Sequence, residues 1–92
     1  MKSIRWDERK NAWLKQDRGV GFEHMVVLLE QGNVLDVMDH PDREKYPHQR
    51  VAIVEIDGYA CLVLYVTDGA GIFLKTIIPS RKATKKYLRG RT

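Results

Sequence analysis

The sequence predicts an α+β fold: an antiparallel β-sheet with an N-terminal αα-hairpin and a C-terminal helix, in the order β-α-α-β-β-β-β-α. Three observations lead there. Two segments before Asn33 carry helix signals. The stretch from Val51 to Ile78 is a run of β-branched and apolar residues broken twice by short turns. Pro79-Ser80 then stops the last strand and opens a basic, helix-compatible tail.

Taken in order, Ile4-Arg5-Trp6 reads as a short strand. Asp7 can cap the helix that follows. Asp7 and Glu8 lie near its positive end and Lys15 and Arg18 near its negative end, so the helix dipole is complemented. Gly19 suits the position just past the helix, and Val20-Gly21 forms a short joint. A second helix starts around Phe22, with Phe22, Met25, Val26 and Leu29 as its apolar stripe, and Gly32 closes it. Val34, Leu35, Val37 and Met38 suggest a strand ending at His40-Pro41. The segment from His40 to Gln49 is a polar loop with two prolines, the longest irregular stretch of the chain.

Val51 to Ile56 is apolar on both faces, as a central strand is. Asp57-Gly58 is a two-residue hairpin signal, and Tyr59 to Thr67 returns as the next strand. That turn fixes a register: Ile56 opposite Tyr59, Val54 opposite Cys61, Ala52 opposite Val63 and Arg50 opposite Tyr65. Asp68 to Gly71 turns again, Ile72 to Ile78 forms the last strand, and Ser80 caps a helix running toward Leu88. The helices are expected on one face of the sheet, with part of the other left open to a ligand.

Ninety-two residues suffice for a single domain, 1–92, with one small core. A hydrophobic fraction of 43% argues against disorder. The absence of a long apolar run and of a signal-like N-terminus sets the expectation of a cytoplasmic protein with no membrane contact. Cys61 is the lone cysteine and reads as a small buried thiol. The net charge is +4, and it is concentrated: from Arg81 onward come Arg81, Lys82, Lys85, Lys86, Arg89 and Arg91, with no Asp or Glu. Such an asymmetry fits a polyanionic partner, and equally a solvated basic terminus.

Several side chains stand out against that background. Arg50 and Tyr65, cross-strand neighbours, could hold a phosphate and a base, or only stabilise the sheet. Lys75 interrupts an apolar strand. It shares the Arg50 face if the preceding loop has three residues, and not if it has two or four. Arg81 and Lys82 sit in a first helical turn, opposing the dipole by roughly 0.3–1 kcal/mol per charge. A bound anion would offset that, as would an acidic partner elsewhere in the chain.

RNA cleavage needs a base, an acid and cations for the phosphorane, and no metal or cofactor. His48, two residues from Arg50, and His40 in the same polar loop are candidates for proton transfer, as are Tyr65 and Tyr87 if cations lower the phenol pKa. A metal held by His40, Asp42 and His48 is a weaker option. Phosphate-loop and zinc spacings are absent from the sequence.

The ordered set of these segments resembles the BrnT-like family of type II toxins, which share a RelE-like ribonuclease fold. Ile4-Arg5-Trp6-Asp7-Glu8-Arg9-Lys10-Asn11 is similar to the family's W-D-x-x-K start, and Arg18-Gly19-Val20-Gly21-Phe22-Glu23 to its K-H-G-V-x-F-E stretch. Arg50 falls where the family has an arginine opening the central strand. Tyr65-Val66-Thr67 resembles its Y-T segment. Ile77-Ile78-Pro79-Ser80-Arg81-Lys82-Ala83-Thr84, with Tyr87, resembles its I-I-S-A-R-x-A-T ending and later aromatic. Arg18 replaces the family's histidine, and Tyr46-Pro47-His48-Gln49-Arg50 replaces an acidic G-E-E-R.

The resemblance implies a toxin that cleaves RNA and inhibits translation. It also implies neutralisation by an antitoxin with a ribbon-helix-helix DNA-binding part, through which the complex reaches operator DNA. By position the resemblance carries over Arg50, Lys75, Arg81 and Tyr87; with His48, read from the loop itself, they are the catalytic candidates, and Lys82, Tyr65, Lys85 and Lys86 are the RNA-binding ones. The alternative is a module of the same fold that binds nucleic acid or an antitoxin and cleaves nothing.

Overall fold

A computed structural model describes residues 3–88. The elements are β1 (Ser3–Trp6), α1 (Glu8–Arg18), α2 (Phe22–Glu30), β2 (Val34–Asp39), β3 (Gln49–Ile56), β4 (Tyr59–Asp68), β5 (Gly71–Pro79) and α3 (Arg81–Tyr87). The expected α+β class and element order are met. The turn and cap residues act as their chemistry requires. Asp7 accepts from the Arg9 and Lys10 amides, Gly19 takes φ 71°, and Ser80 accepts from the Ala83 amide. Asp57 and Gly58 both have positive φ, 51° and 79°, which matches the hairpin twist. All four expected β3–β4 pairs, Arg50 with Tyr65 included, are present.

The sheet is mixed, not antiparallel throughout. Its order is β1-β5-β4-β3-β2, and β1 runs parallel to β5. The cause is parity. The α1–α2 connection reverses the chain once between the two edges, and three further reversals lead from β2 back to β5. Four reversals restore the original direction. Close approach of β1 to β5 requires a glycine at position 71: its φ is 140°, and a Cβ there would lie 2.2 Å from the Ser3 carbonyl oxygen.

A second correction concerns the layers. Helices lie on both faces of the sheet. On the first face, Leu14 of α1 and Phe22, Met25 and Leu28 of α2 are buried against Ala52, Val54, Cys61, Val63, Leu74 and Ile77. The α2 stripe is thus deepest at Phe22, Met25 and Leu28, with Val26 and Leu29 partly buried around it. Buried Asn11 joins the two helices: its Oδ1 accepts from the Phe22 amide at 2.7 Å and its Nδ2 donates to Glu23 at 3.0 Å.

On the second face, α3 packs through Ala83 and Tyr87 near Ile53, Ala60 and Leu62. It is tied down at Ala60, whose amide donates to Thr84 Oγ1 at 2.9 Å and whose carbonyl accepts from the Ser80 amide at 3.0 Å. Central strands apolar on both faces need cover on both, and α3 supplies part of the second cover.

Candidate nucleic-acid interface

Side-chain alternation decides which candidates meet. Arg50 and Tyr65 project from the first face, with Ala52 and Val63 beside them in the ladder. Arg50 pairs there with Asp39 (Nε to Oδ1, 3.6 Å). Tyr65 edges an apolar hollow of about 260 Å³ whose walls include Ile4, Leu29, Val37 and Leu74. Arg81, Lys82, Lys85, Lys86 and Tyr87 belong to α3 on the second face. Arg50 and Arg81, both among the catalytic candidates, therefore lie on opposite faces of the sheet and do not share one cationic hollow. Arg50 is in phase with Ala52 and Val54, the even positions of β3 that lie under α1 and α2, whereas α3 crosses the opposite side.

Lys75 joins the α3 side. The β4–β5 turn has two central residues, closed by the Asp68–Gly71 pair, and the register slips at Leu64/Tyr65, leaving Lys75 unpaired in a bulge. Leu74 pairs with Tyr65 on the first face, so Lys75 turns to the second, and its ammonium lies 5.7 Å from the Phe73 ring centroid.

The second face holds two adjoining hollows. One, of about 350 Å³, is lined by Lys82, Lys86 and Tyr87 over Ile53, Leu62 and Ala83. The other, of about 240 Å³, is lined by His40, Val51, Leu64 and Ile78. Met38, Pro41 and Leu62 border both, so they form a single groove with an apolar floor and a basic rim. Among the described residues neither Arg81 nor Lys82 has an ion-pair partner, so no ion pair there offsets the charge in the first turn of α3.

At one end of the groove the Tyr87 hydroxyl donates to Asp36 at 2.6 Å. That bond raises the phenol above its ordinary pKa and lowers the Asp36 carboxyl. At the other end the polar loop is ordered. The His40 amide donates to the Gln49 carbonyl (3.0 Å), closing the loop base, and His40 Nδ1 accepts from the Asp42 amide (3.0 Å). In the neutral ring the proton is thereby assigned to Nε2. The His40 and Tyr46 rings stand 4.5 Å apart. His48 is exposed immediately before β3. Among the described residues no three His, Cys, Asp or Glu side chains gather into a metal-holding group.

Sequence reasoning gives little weight to His40 and marks Arg18 as a helix-end charge and as the residue in place of the family's histidine. Arg18 in fact donates to the Ile77 carbonyl at 2.9 Å and lies 5.2 Å from the Trp13 ring, which fixes a cation beside the end of β5. No spacing in the sequence links residues 18 and 77, so nothing there signals the contact. Cys61 is buried, and burial raises its thiol pKa against the opposing field of Arg18. Arg89 and Arg91 of the basic tail lie outside the described residues.

No protein-family model, curated protein or solved structure matches the chain. No helix among the described residues is long and apolar enough to cross a membrane.

Proposed function

We propose that the chain is the toxin of a type II toxin–antitoxin pair, an endoribonuclease that cleaves RNA in the cytoplasm and is held in check by a cognate antitoxin. The observation that carries this reading is the second-face groove, where Lys82 and Lys86 flank an apolar floor beside Tyr87 and His40. An apolar floor takes a base, and rim ammonium groups take the phosphate. Support also comes from the unpaired Arg81 and Lys82 and from the ordered family-like segments of the sequence.

In this reading the RNA 2′-oxygen attacks the adjacent phosphorus, the bond to the 5′-oxygen breaks, and a cyclic phosphate is left on the upstream fragment. Lys82, Lys86 and Arg81 neutralise the phosphorane. Tyr87 is the acid that delivers a proton to the 5′-oxygen, once its hydroxyl is released from Asp36. His48, at the base of the same loop as His40, is the base. Arg50 and Tyr65, on the far face, then bind or stabilise and do not catalyse.

The deciding experiment is induced expression with and without the adjacent reading frame, together with purified protein on labelled RNA. Growth arrest relieved by a short neighbouring gene, with RNA cleaved in vitro, supports the reading. Normal growth and intact RNA sink it. A second reading, a non-catalytic module that binds RNA or an antitoxin, is favoured by one feature: Tyr87 and Arg50 are already engaged by Asp36 and Asp39. Binding without cleavage selects it.

A further inference from the structure

Beyond the groove, the same sheet face continues toward β1, where α3 does not reach. There Phe73, partly exposed, has two cations near it: Arg5 Cζ is 5.9 Å and Lys75 Nζ 5.7 Å from its ring centroid. Arg5 is directly opposite Phe73 in the β1–β5 ladder. Its guanidinium is held by Asp68 at 3.1 and 3.0 Å, through Nη2 alone, so most of its five N–H donors remain for another acceptor. The two-residue β4–β5 turn puts Lys75 on this face, and the bulge leaves it unpaired beside Thr76, whose partner Leu64 lines the groove. The patch and the groove are therefore continuous. From Phe73 to Ile78 the track runs about 16 Å along β5.

We infer that Phe73, Arg5 and Lys75 form a base-stacking subsite that extends the groove, and that the polymer bound is single-stranded RNA. This rests on the ribonuclease reading and deepens it. Sheet-surface aromatics flanked by cations stack splayed bases, while the cations take the adjoining phosphates. A duplex has its bases paired and stacked, and offers no free ring to Phe73. The charge on the track favours an anion: Lys75, Lys82 and Lys86 line it, with Asp68 and Asp36 already engaged by Arg5 and Tyr87.

The test uses a labelled single-stranded 2′-O-methyl RNA, which cannot be cleaved through its 2′-oxygen, and the duplex of the same sequence. Anisotropy is read for the full chain and for Phe73→Leu, Phe73→Trp, Lys75→Ala and Lys82→Ala/Lys86→Ala. Thermal melting checks each fold, and exposed Lys75 keeps the test valid if Phe73→Leu unfolds. The expectation is single-strand binding well above duplex binding, weakened about tenfold by Phe73→Leu, retained by Phe73→Trp and reduced by Lys75→Ala. Unchanged binding in Phe73→Leu and Lys75→Ala, with a loss in the double lysine variant, overturns the subsite and leaves the RNA groove standing. Equal duplex binding overturns the substrate class. No RNA binding by the wild type overturns both proposals. If poly-glutamate binds in place of RNA and loses affinity in Phe73→Leu, the surface serves an acidic protein partner and the inference falls.

Discussion

The hydroxyl of Tyr87, on α3, donates a 2.6 Å hydrogen bond to the carboxylate of Asp36, on the edge strand β2, which ties the last helix across the sheet to the far edge. Both groups are shifted by it, the phenol upward and the carboxyl downward. The bond stabilises the fold only while Asp36 is ionised and Tyr87 protonated. The Asp36 share is complete above its unfolded pKa, near 3.8, and is lost as pH falls through the lower folded value. The Tyr87 share is complete below about 10.0 and is lost as pH rises through the higher folded value.

Asp36→Asn should therefore return the Tyr87 titration toward 10.0, read from its ring resonances by NMR. If Tyr87 is the acid of the reaction, the same variant changes RNA cleavage and shifts the alkaline limb of its pH profile downward. An unmoved Tyr87 titration in a folded Asp36→Asn protein excludes the coupling.

Arg81→Ala should relieve growth arrest on induced expression without unfolding the protein, because Arg81 is exposed and the Ser80 cap is made by a different side chain. Its melting temperature should match the wild type, or rise slightly, since a charge opposing the helix dipole is gone. Undiminished arrest from the folded variant removes Arg81 from the site.

Lys82→Ala/Lys86→Ala should weaken single-stranded RNA binding across sequences and flatten its salt dependence. The slope of log K against log salt should fall by about 1.4, at about 0.7 per phosphate contact. A titration over several salt concentrations reads this directly. An unchanged slope means that neither lysine meets a phosphate.

Asn11→Ala should lower stability by roughly 1–3 kcal/mol, since the buried Phe22 amide loses its acceptor. The change is read as a lower denaturant midpoint with an unchanged slope. Glu23, drawn down to about 2 first by Lys15 and then by Asn11, should rise on replacement of either, and further on replacement of Lys15. A stable Asn11→Ala protein would mean that the α1–α2 junction is held by packing alone.

Most of the local structure was legible in the sequence because it depends on neighbours in the chain. Asp7, Gly19, Ser80 and Asp57-Gly58 each act within a few residues of where they stand, and they set the helix ends, the β3–β4 turn and the Arg50–Tyr65 pairing. Three things were settled only in the folded molecule: the parallel β1–β5 pairing, the second-face position of α3, and the two-residue β4–β5 turn that puts Lys75 on the face away from Arg50. The first two depend on how apolar faces far apart in the chain are covered. Burial is non-directional, so the apolar pattern of β3 and β4 calls for cover on both sides without naming which helix supplies it. That choice, with the length of one turn in a ladder of period two, decided which basic side chains share a surface.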